Sequence, residues 1–221
     1  MKSILIAISI ILFVVHFSHS QTLPQPLPNL KSGWLRVIIE DVGSIDIPAT
    51  LEVQSSEHKQ QKSDFLKETD SNAQFIAQQK GLNEMTNEGF DKFARVIIKT
   101  KMGASDEFEK LTFDISQITN SQMDDINKSS KLQIERNFIK TGINLLEWFP
   151  IKLEKVNGMS CIHISYVRQL NDNPRVLVHT YNFPNYDRMH YLTLEYRLSE
   201  SDYWKSDFEN VLKTFRISNI K

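Results

Sequence analysis

Residues 145–168 read LLEWFPIKLEKVNGMSCIHISYVR, two apolar and β-branched runs separated by Asn157-Gly158. An Asn-Gly pair in this setting is the strongest short-range signal for a β-hairpin, because both residues tolerate a positive φ angle. A second hairpin is predicted directly afterwards, with strands at Arg175–Phe183 and Arg188–Leu198 and a turn at Pro184–Asp187. The C-terminal part of the chain therefore predicts a four-stranded antiparallel meander.

A helix is predicted to follow this meander. Ser199 can cap it, with Asp202 at the third helical position. Its large apolar side chains then recur at offsets of 4, 7, 8 and 11 residues, and these are Trp204, Phe208, Val211, Leu212 and Phe215. Such spacing places them on one helical face, which must pack against the sheet.

The N-terminal half of the chain has weaker patterns. Short β-rich runs predict strands at Trp34–Glu40, at Ser44–Val53 with a break at Pro48, at Phe93–Lys99 and at Phe108–Asp114. The polar region 54–92 has few apolar residues and only loosely fits a helix over 63–80, closed by Gly81. Ser116–Phe138 lacks Gly and Pro and predicts a helix, with an interruption near Ser129. The fold class that follows is α+β, an antiparallel sheet of about six strands packed against helices.

The C-terminal block resembles the PsbP-like superfamily, which includes the extrinsic photosystem II subunit and exported bacterial domains. The resemblance rests on Val176–Phe183, on Tyr191-Leu-Thr-Leu-Glu-Tyr196 and on the aromatic face of the last helix. It covers residues 174–217 well and extends loosely to Gly33, where Ser44–Pro48 looks like the family's early hairpin. It implies an α/β/α sandwich that serves as a platform for other proteins, with no shared catalytic residues to transfer.

The first 20 residues predict export. Lys2 precedes an apolar run from Ile4 to Val15, and Ser18-His-Ser20 provides the small residues that a signal peptidase recognises. We expect a signal peptide at 1–20 with cleavage after Ser20, a proline-rich leader at 21–32 and a single α+β domain at 33–221. An uncleaved signal anchor is the alternative, although about a dozen apolar residues are too few to span a bilayer. The expected location is therefore periplasmic or secreted, without stable membrane insertion after cleavage.

Composition excludes several classes of protein. Without the first 20 residues the chain has 25 Lys and Arg against 27 Asp and Glu, a net charge of −2, whereas nucleic-acid binders usually have a basic excess. The lone Cys161 excludes an intramolecular disulfide. No phosphate-binding loop, dinucleotide fingerprint, nucleophile elbow or His-Glu-x-x-His motif occurs.

Three histidines, His163, His179 and His190, fall on neighbouring predicted strands. With a loop at Pro184–Asp187, Tyr181 would pair with His190, and His179 and His190 would share one sheet face. Together with His163 they could bind zinc or copper, or they could be ordinary half-buried strand residues. Cys161 and His163 are also two residues apart on one strand, but their parallel side chains are poorly placed for a thiol–imidazole pair.

The other candidate sites can also be explained by an ordinary structural role. Asn127-Lys-Ser129 is a formal glycosylation sequence, meaningful only in a host that glycosylates. Trp34, Trp148 and Tyr186 are candidates for a partner surface, although both tryptophans could equally be core residues. We therefore assign no catalytic, cofactor-binding or metal-binding residue and expect no cofactor.

The leading hypothesis is an exported, soluble, non-enzymatic domain that binds another protein. The alternative is a periplasmic or secreted protein that binds a metal or small ligand through the sheet face with His179 and His190. A hydrolase is the third hypothesis, and a deep pocket lined by Cys161, His163 or Glu195 would favour it. The sequence does not identify the partner or the oligomeric state.

Overall fold

A computed structural model of the chain describes residues 27–54, 73–139 and 141–221, without the side chain of Glu88. Ten strands are present in these ranges. They are β1 (Trp34–Ile39), β2 (Gly43–Pro48), β3 (Leu51–Val53), β4 (Phe75–Gln79), β5 (Ala94–Met102), β6 (Ile143–Val156), β7 (Met159–Leu170), β8 (Val176–Pro184), β9 (Arg188–Arg197) and β10 (Arg216–Ile217).

Seven of these strands form the main sheet, in the order β3-β4-β5-β9-β8-β7-β6, and every neighbouring pair is antiparallel. β6 to β9 form the predicted meander. At its first turn Asn157 and Gly158 have φ angles of 54° and 82°, as a tight hairpin turn between right-twisted strands requires. The hairpin signal in the sequence is therefore confirmed.

The remaining strands form a small sheet in the order β1-β2-β10. β2 ends at Pro48, and the chain then enters the main sheet as β3, so the predicted strand Ser44–Val53 is divided between two sheets. Gly43 pairs with Ile217 of β10, and a Cβ atom at Gly43 would collide with the backbone of Arg216. Only glycine allows the two strands to approach this closely.

In the described part of the chain three α-helices accompany the sheets, and they are α1 (Asn87–Asp91), α2 (Asn120–Phe138) and α3 (Ser201–Thr214). α2 is continuous through Ser129, so the predicted interruption is wrong, and Thr119 with Gln122 forms its N-terminal capping box. α3 begins at Ser201 after a 3₁₀ turn at Leu198–Glu200, and its N-cap position has no side-chain hydrogen bond. The predicted Ser199 cap is therefore also wrong.

α2 and α3 lie on opposite faces of the main sheet. Phe208 of α3 packs on Tyr196, whereas Phe138 of α2 packs on Tyr166. Tyr196 and Tyr166 point to opposite faces, because Tyr196 aligns with Leu177 and Tyr166 aligns with Val178 in β8. The arrangement confirms the predicted α+β sandwich.

The core lies between the main sheet, α3 and the small sheet. α3 buries the side chains that the helical spacing indicated, Trp204, Phe208 and Val211, with Phe215 just beyond its end. β2 contributes Ile45 and Ile47 to the same core. At about 25 cal/mol per Å² of apolar surface, burial of such aromatic and branched side chains is the main stabilising term of the fold.

The polar region differs most from its prediction. Residues 75–79 form strand β4 rather than the end of a helix, and its Gln78 is fully buried with hydrogen bonds to Gln54 and Asn83. The first part of the predicted helix, 63–72, lies outside the described residues. Phe108–Asp114 is irregular rather than a strand, although Leu111 is buried in the core.

The predicted signal peptide at 1–20 and most of the leader lie outside the described residues. Pro28 in the leader accepts a hydrogen bond of 2.8 Å from Arg36 through its carbonyl oxygen. Within 27–54, 73–139 and 141–221, no helix has the length and apolar character needed to cross a membrane.

Candidate functional site

The three strand histidines share one face of the main sheet, but the structure does not bring all three together. His190 pairs with Phe183 and His179 pairs with Leu194, so the predicted pairing of His190 with Tyr181 is wrong by two residues. β8 ends at Pro184 and β9 begins at Arg188, so the turn between them is shorter than predicted. His190 therefore lies beside Phe183, four residues along β8 from His179, and the two histidines are ~13 Å apart in the strand direction.

His190 is a buried residue with both ring nitrogens occupied. Thr100 donates its hydroxyl hydrogen to Gln74 Oε1 at 2.6 Å, so its oxygen accepts from His190 Nδ1 at 2.9 Å. His190 Nε2 then accepts from the Asn185 amide at 3.4 Å. Burial and the nearby Arg188 lower the His190 pKa to about 4, so the ring is neutral at pH 7.

His163 contacts His179 and forms a chain of polar groups with Glu154. His163 Nδ1 lies 3.1 Å from Glu154 Oε1, and His163 Nε2 lies 3.1 Å from His179 Nδ1. A carboxylate can only accept, so His163 donates from Nδ1, and His179 must donate from Nδ1 to the remaining lone pair of His163. This order leaves a lone pair on Nε2 of His179, which has no hydrogen-bond partner among the described residues.

Electrostatics keep both rings neutral at physiological pH. Burial, with a further contribution from the neighbouring His163, lowers the pKa of His179 to about 4. Burial also lowers the His163 pKa, while the Glu154 carboxylate acts in the opposite direction. Tyr181 stacks on His163 at 4.2 Å between ring centroids and fixes its plane.

Cys161 is fully buried, and burial raises the pKa of its thiol to about 12. A thiol with this pKa is not a nucleophile at neutral pH. Both ring nitrogens of His163 contact other residues, Glu154 and His179, rather than the Cys161 thiol.

The other sequence candidates have structural partners. Asn127 Oδ1 accepts from Trp148 Nε1 at 2.9 Å and from the Ile151 amide at 3.2 Å, so the formal glycosylation asparagine joins α2 to β6. Trp148 is partly buried and stacked on Tyr166. Trp34 is partly buried against the core.

Glu195 belongs to an ion cluster on the opposite face of the sheet. Its carboxylate lies 2.8 Å from Arg168 and 3.8 Å from Arg95, and all three side chains are largely buried. A cleft of about 490 Å³ lies elsewhere, and its lining residues are Asp41, Gln74, Thr100, Met102, Arg188 and Asn219. It includes none of the residues named for the hydrolase hypothesis.

The described part of the chain brings no three His, Cys, Asp or Glu side chains together in a group that could hold a metal ion. The predicted His179/His190 face therefore gives no shared site. What the sequence did not indicate is the contact of His163 with His179 and the role of Glu154 beside them.

A further exposed feature is the outer edge of β1. Leu35 and Ile38 are 56% and 73% exposed, and β1 pairs with β2 only, among the described residues. The register from Trp34↔Pro48 to Ile39↔Gly43 is continuous and has no bulge. β6, one of the two edge strands of the main sheet, differs because it has two register shifts and exposed Lys152. Bulges and lysines protect an edge strand from pairing, and β1 has neither.

Comparison with known proteins supports the fold. The solution structure of cyanobacterial PsbP (CyanoP) from Synechocystis sp. PCC 6803 aligns with a TM-score of 0.52 and 12% sequence identity, over 87% of this chain and 98% of that chain. LpqN of Mycobacterium tuberculosis, described as involved in cell envelope biogenesis, aligns with a TM-score of 0.44 and 11% identity, over 84% and 91% of the two chains. No family model and no curated protein matches the sequence. The chain therefore has a PsbP-like fold, as its C-terminal block indicated.

Proposed function

We propose that this protein is exported and acts outside the cytoplasm as a non-enzymatic domain that binds an extended segment of another protein along β1. The observation that carries the proposal is the regular outer edge of β1, which pairs only with β2 within 27–54, 73–139 and 141–221 and exposes Leu35 and Ile38. An extended segment can pair with such an edge through main-chain hydrogen bonds and gain specificity from alternate side chains.

The composition of the edge supports one kind of occupant. Leu35 and Ile38 offer apolar contacts, while Arg36 is neutralised by Asp46 in a two-point ion pair whose shorter distance is 2.7 Å. Because Leu35 and Ile38 are three residues apart in a regular strand, they point to opposite faces of β1. A partner strand with apolar side chains on both faces and little net charge fits this edge. The export part of the proposal rests on the signal-type sequence at 1–20.

Charged variants of the edge test the binding. Ile38→Lys places a cation on an exposed position, so we expect the fold to change in stability by at most about 0.5 kcal/mol. Lysine on an edge strand opposes further pairing. A pulldown from the envelope fraction should therefore recover a partner with the native chain and lose it with Ile38→Lys. The matched control is Leu132→Lys on α2, which is 43% exposed in the native chain and should leave capture unchanged.

The same experiment can contradict the proposal. Identical capture by Ile38→Lys and by the native chain would exclude β1 as the binding edge. A native chain that elutes as a dimer, and an Ile38→Lys chain that elutes as a monomer, would identify a second copy as the occupant instead. N-terminal sequencing of the exported protein tests the signal separately, with Gln21 as the expected first residue.

A further inference from the structure

The pair of imidazoles in the core-facing sheet surface has the spacing of two ligands of one metal ion. His163 Nε2 and His179 Nδ1 are 3.1 Å apart. Two nitrogens that bind a metal at 2.0–2.1 Å lie about 3.3 Å apart in tetrahedral geometry and about 2.9 Å apart at right angles. The observed separation lies between these values, so the two nitrogens are close enough to bind one ion once the hydrogen bond between the rings is replaced.

Glu154 completes an arrangement typical of metal-bound histidine. Metal-ligating imidazoles usually donate their other N–H to a carboxylate or carbonyl, which fixes the tautomer and the ring orientation. His163 already donates from Nδ1 to Glu154, so its Nε2 lone pair is held in place by a partner that a metal would not disturb. The stacked Tyr181 supports the same ring from the side.

We propose that His163 and His179 bind one divalent transition metal ion, with Glu154 orienting His163. Imidazole suits Cu²⁺, Zn²⁺ and Ni²⁺, and affinity among these divalent ions is highest for Cu²⁺. Binding replaces the hydrogen bond between the rings: the Nδ1 proton of His179 moves to Nε2, and both rings stay neutral. No proton is lost to solvent in this exchange.

Access and charge set limits on the affinity. The Glu154 side chain is 34% exposed and His179 is half-buried, so water can supply the remaining ligands at this side of the site. Lys152, which pairs with His163 across the hairpin, is exposed, and its cation opposes a dication. Two protein ligands and one nearby cation predict a moderate affinity that rises when Lys152 loses its charge.

Copper binding by the purified full chain tests the site directly. We expect one Cu²⁺ per chain and a pulsed electron paramagnetic resonance spectrum with two equatorial imidazole nitrogens. His163→Gln and His179→Gln should each lower the affinity at least tenfold and remove the two-imidazole signal. Glu154→Gln should weaken binding up to about tenfold, whereas His190→Gln, a buried histidine outside the site, should leave it unchanged.

Other results would overturn the proposal. A native chain that binds neither Cu²⁺ nor Zn²⁺ at about 1 mM has no site of useful affinity. A spectrum unchanged in His179→Gln would place the ion elsewhere. If the histidine variants do not fold, Lys152→Gln and Glu154→Gln still decide, because they alter exposed or partly exposed side chains. Lys152→Gln should then raise and Glu154→Gln lower the affinity, and no change in either variant counts against the site.

Discussion

His190 should make the folded state sensitive to mild acid. Its ring is fully buried, and burial, with a further contribution from Arg188, lowers its pKa from 6.5 to about 4, against a smaller opposing effect of Asp187. The unfolded chain therefore binds a proton near pH 6.5, which the folded chain does not bind until the pH approaches 4. The contribution of neutral His190 to the free energy of unfolding is therefore fully present above pH 6.5 and is lost as the pH falls toward 4.

The magnitude follows from the two pKa values. A shift of ~2.5 units corresponds to about 3 kcal/mol when the transition is complete, at about 1.4 kcal/mol per unit. Between pH 7.5 and pH 5.0 the linkage relation gives a loss of about 2 kcal/mol in the free energy of unfolding. A loss of this size is a large fraction of the 5–15 kcal/mol typical of a domain.

Urea unfolding, followed by tryptophan fluorescence at both pH values, measures this loss. The native chain should lose about 2 kcal/mol more than His190→Gln, because the other histidines are common to both proteins. Thr100→Val is the matched control: it removes the acceptor of the Nδ1 proton but keeps the titrating ring, so the loss should remain. Equal losses in the native chain and in His190→Gln would refute the reasoning. If His190→Gln does not fold, a pKa near 6.5 for His190 by nuclear magnetic resonance would refute it as well.

Three further changes test packing around the sheet. Asn157→Asp keeps a residue that tolerates positive φ but removes the two amide hydrogen bonds to the carbonyl oxygens at the end of α3, so urea unfolding should show a loss of about 2 kcal/mol. Gly43→Ala should cost about 3 kcal/mol, because its Cβ meets the backbone of β10. Gly158→Ala, where a Cβ meets nothing within 4 Å, should cost only about 1 kcal/mol, from its positive φ. Asn127 should carry no glycan in a glycosylating host, and a mass increase at this residue would contradict its bonded position beside Trp148.

The C-terminal half of the fold could be predicted because its signals are local. The Asn157-Gly158 turn fixes the β6–β7 register, and the helical spacing of Trp204 and Phe208 fixes the buried face of α3. β4 gave no such signal. Its Gln78 is buried and satisfied by other amides, whereas sequence patterns identify strands through apolar alternation. A strand that pairs polar side chains in the interior therefore resembles a loop or a polar helix in the sequence.

Prediction of the contact between His163 and His179 requires more than knowing which face of its strand each histidine occupies. The period of two in a strand correctly predicts that His179 and His190 share a face. When the pairing of two strands shifts by two residues, each side chain stays on its face of the sheet but has a different neighbour on the other strand. For this reason the predicted pairing of His190 with Tyr181 was wrong although the predicted face was right. The contact between His163 and His179 depends on the β7–β8 register, and the five residues between these strands carry no Asn-Gly signal. The position of Glu154 near His163 could have been predicted from the sequence. The Asn157-Gly158 turn places Lys152 directly opposite His163, and Glu154, two residues further along β6, is then the diagonal neighbour of His163. Prediction of such a site therefore needs the register of every hairpin that contributes to it, and here only one of the two was encoded locally.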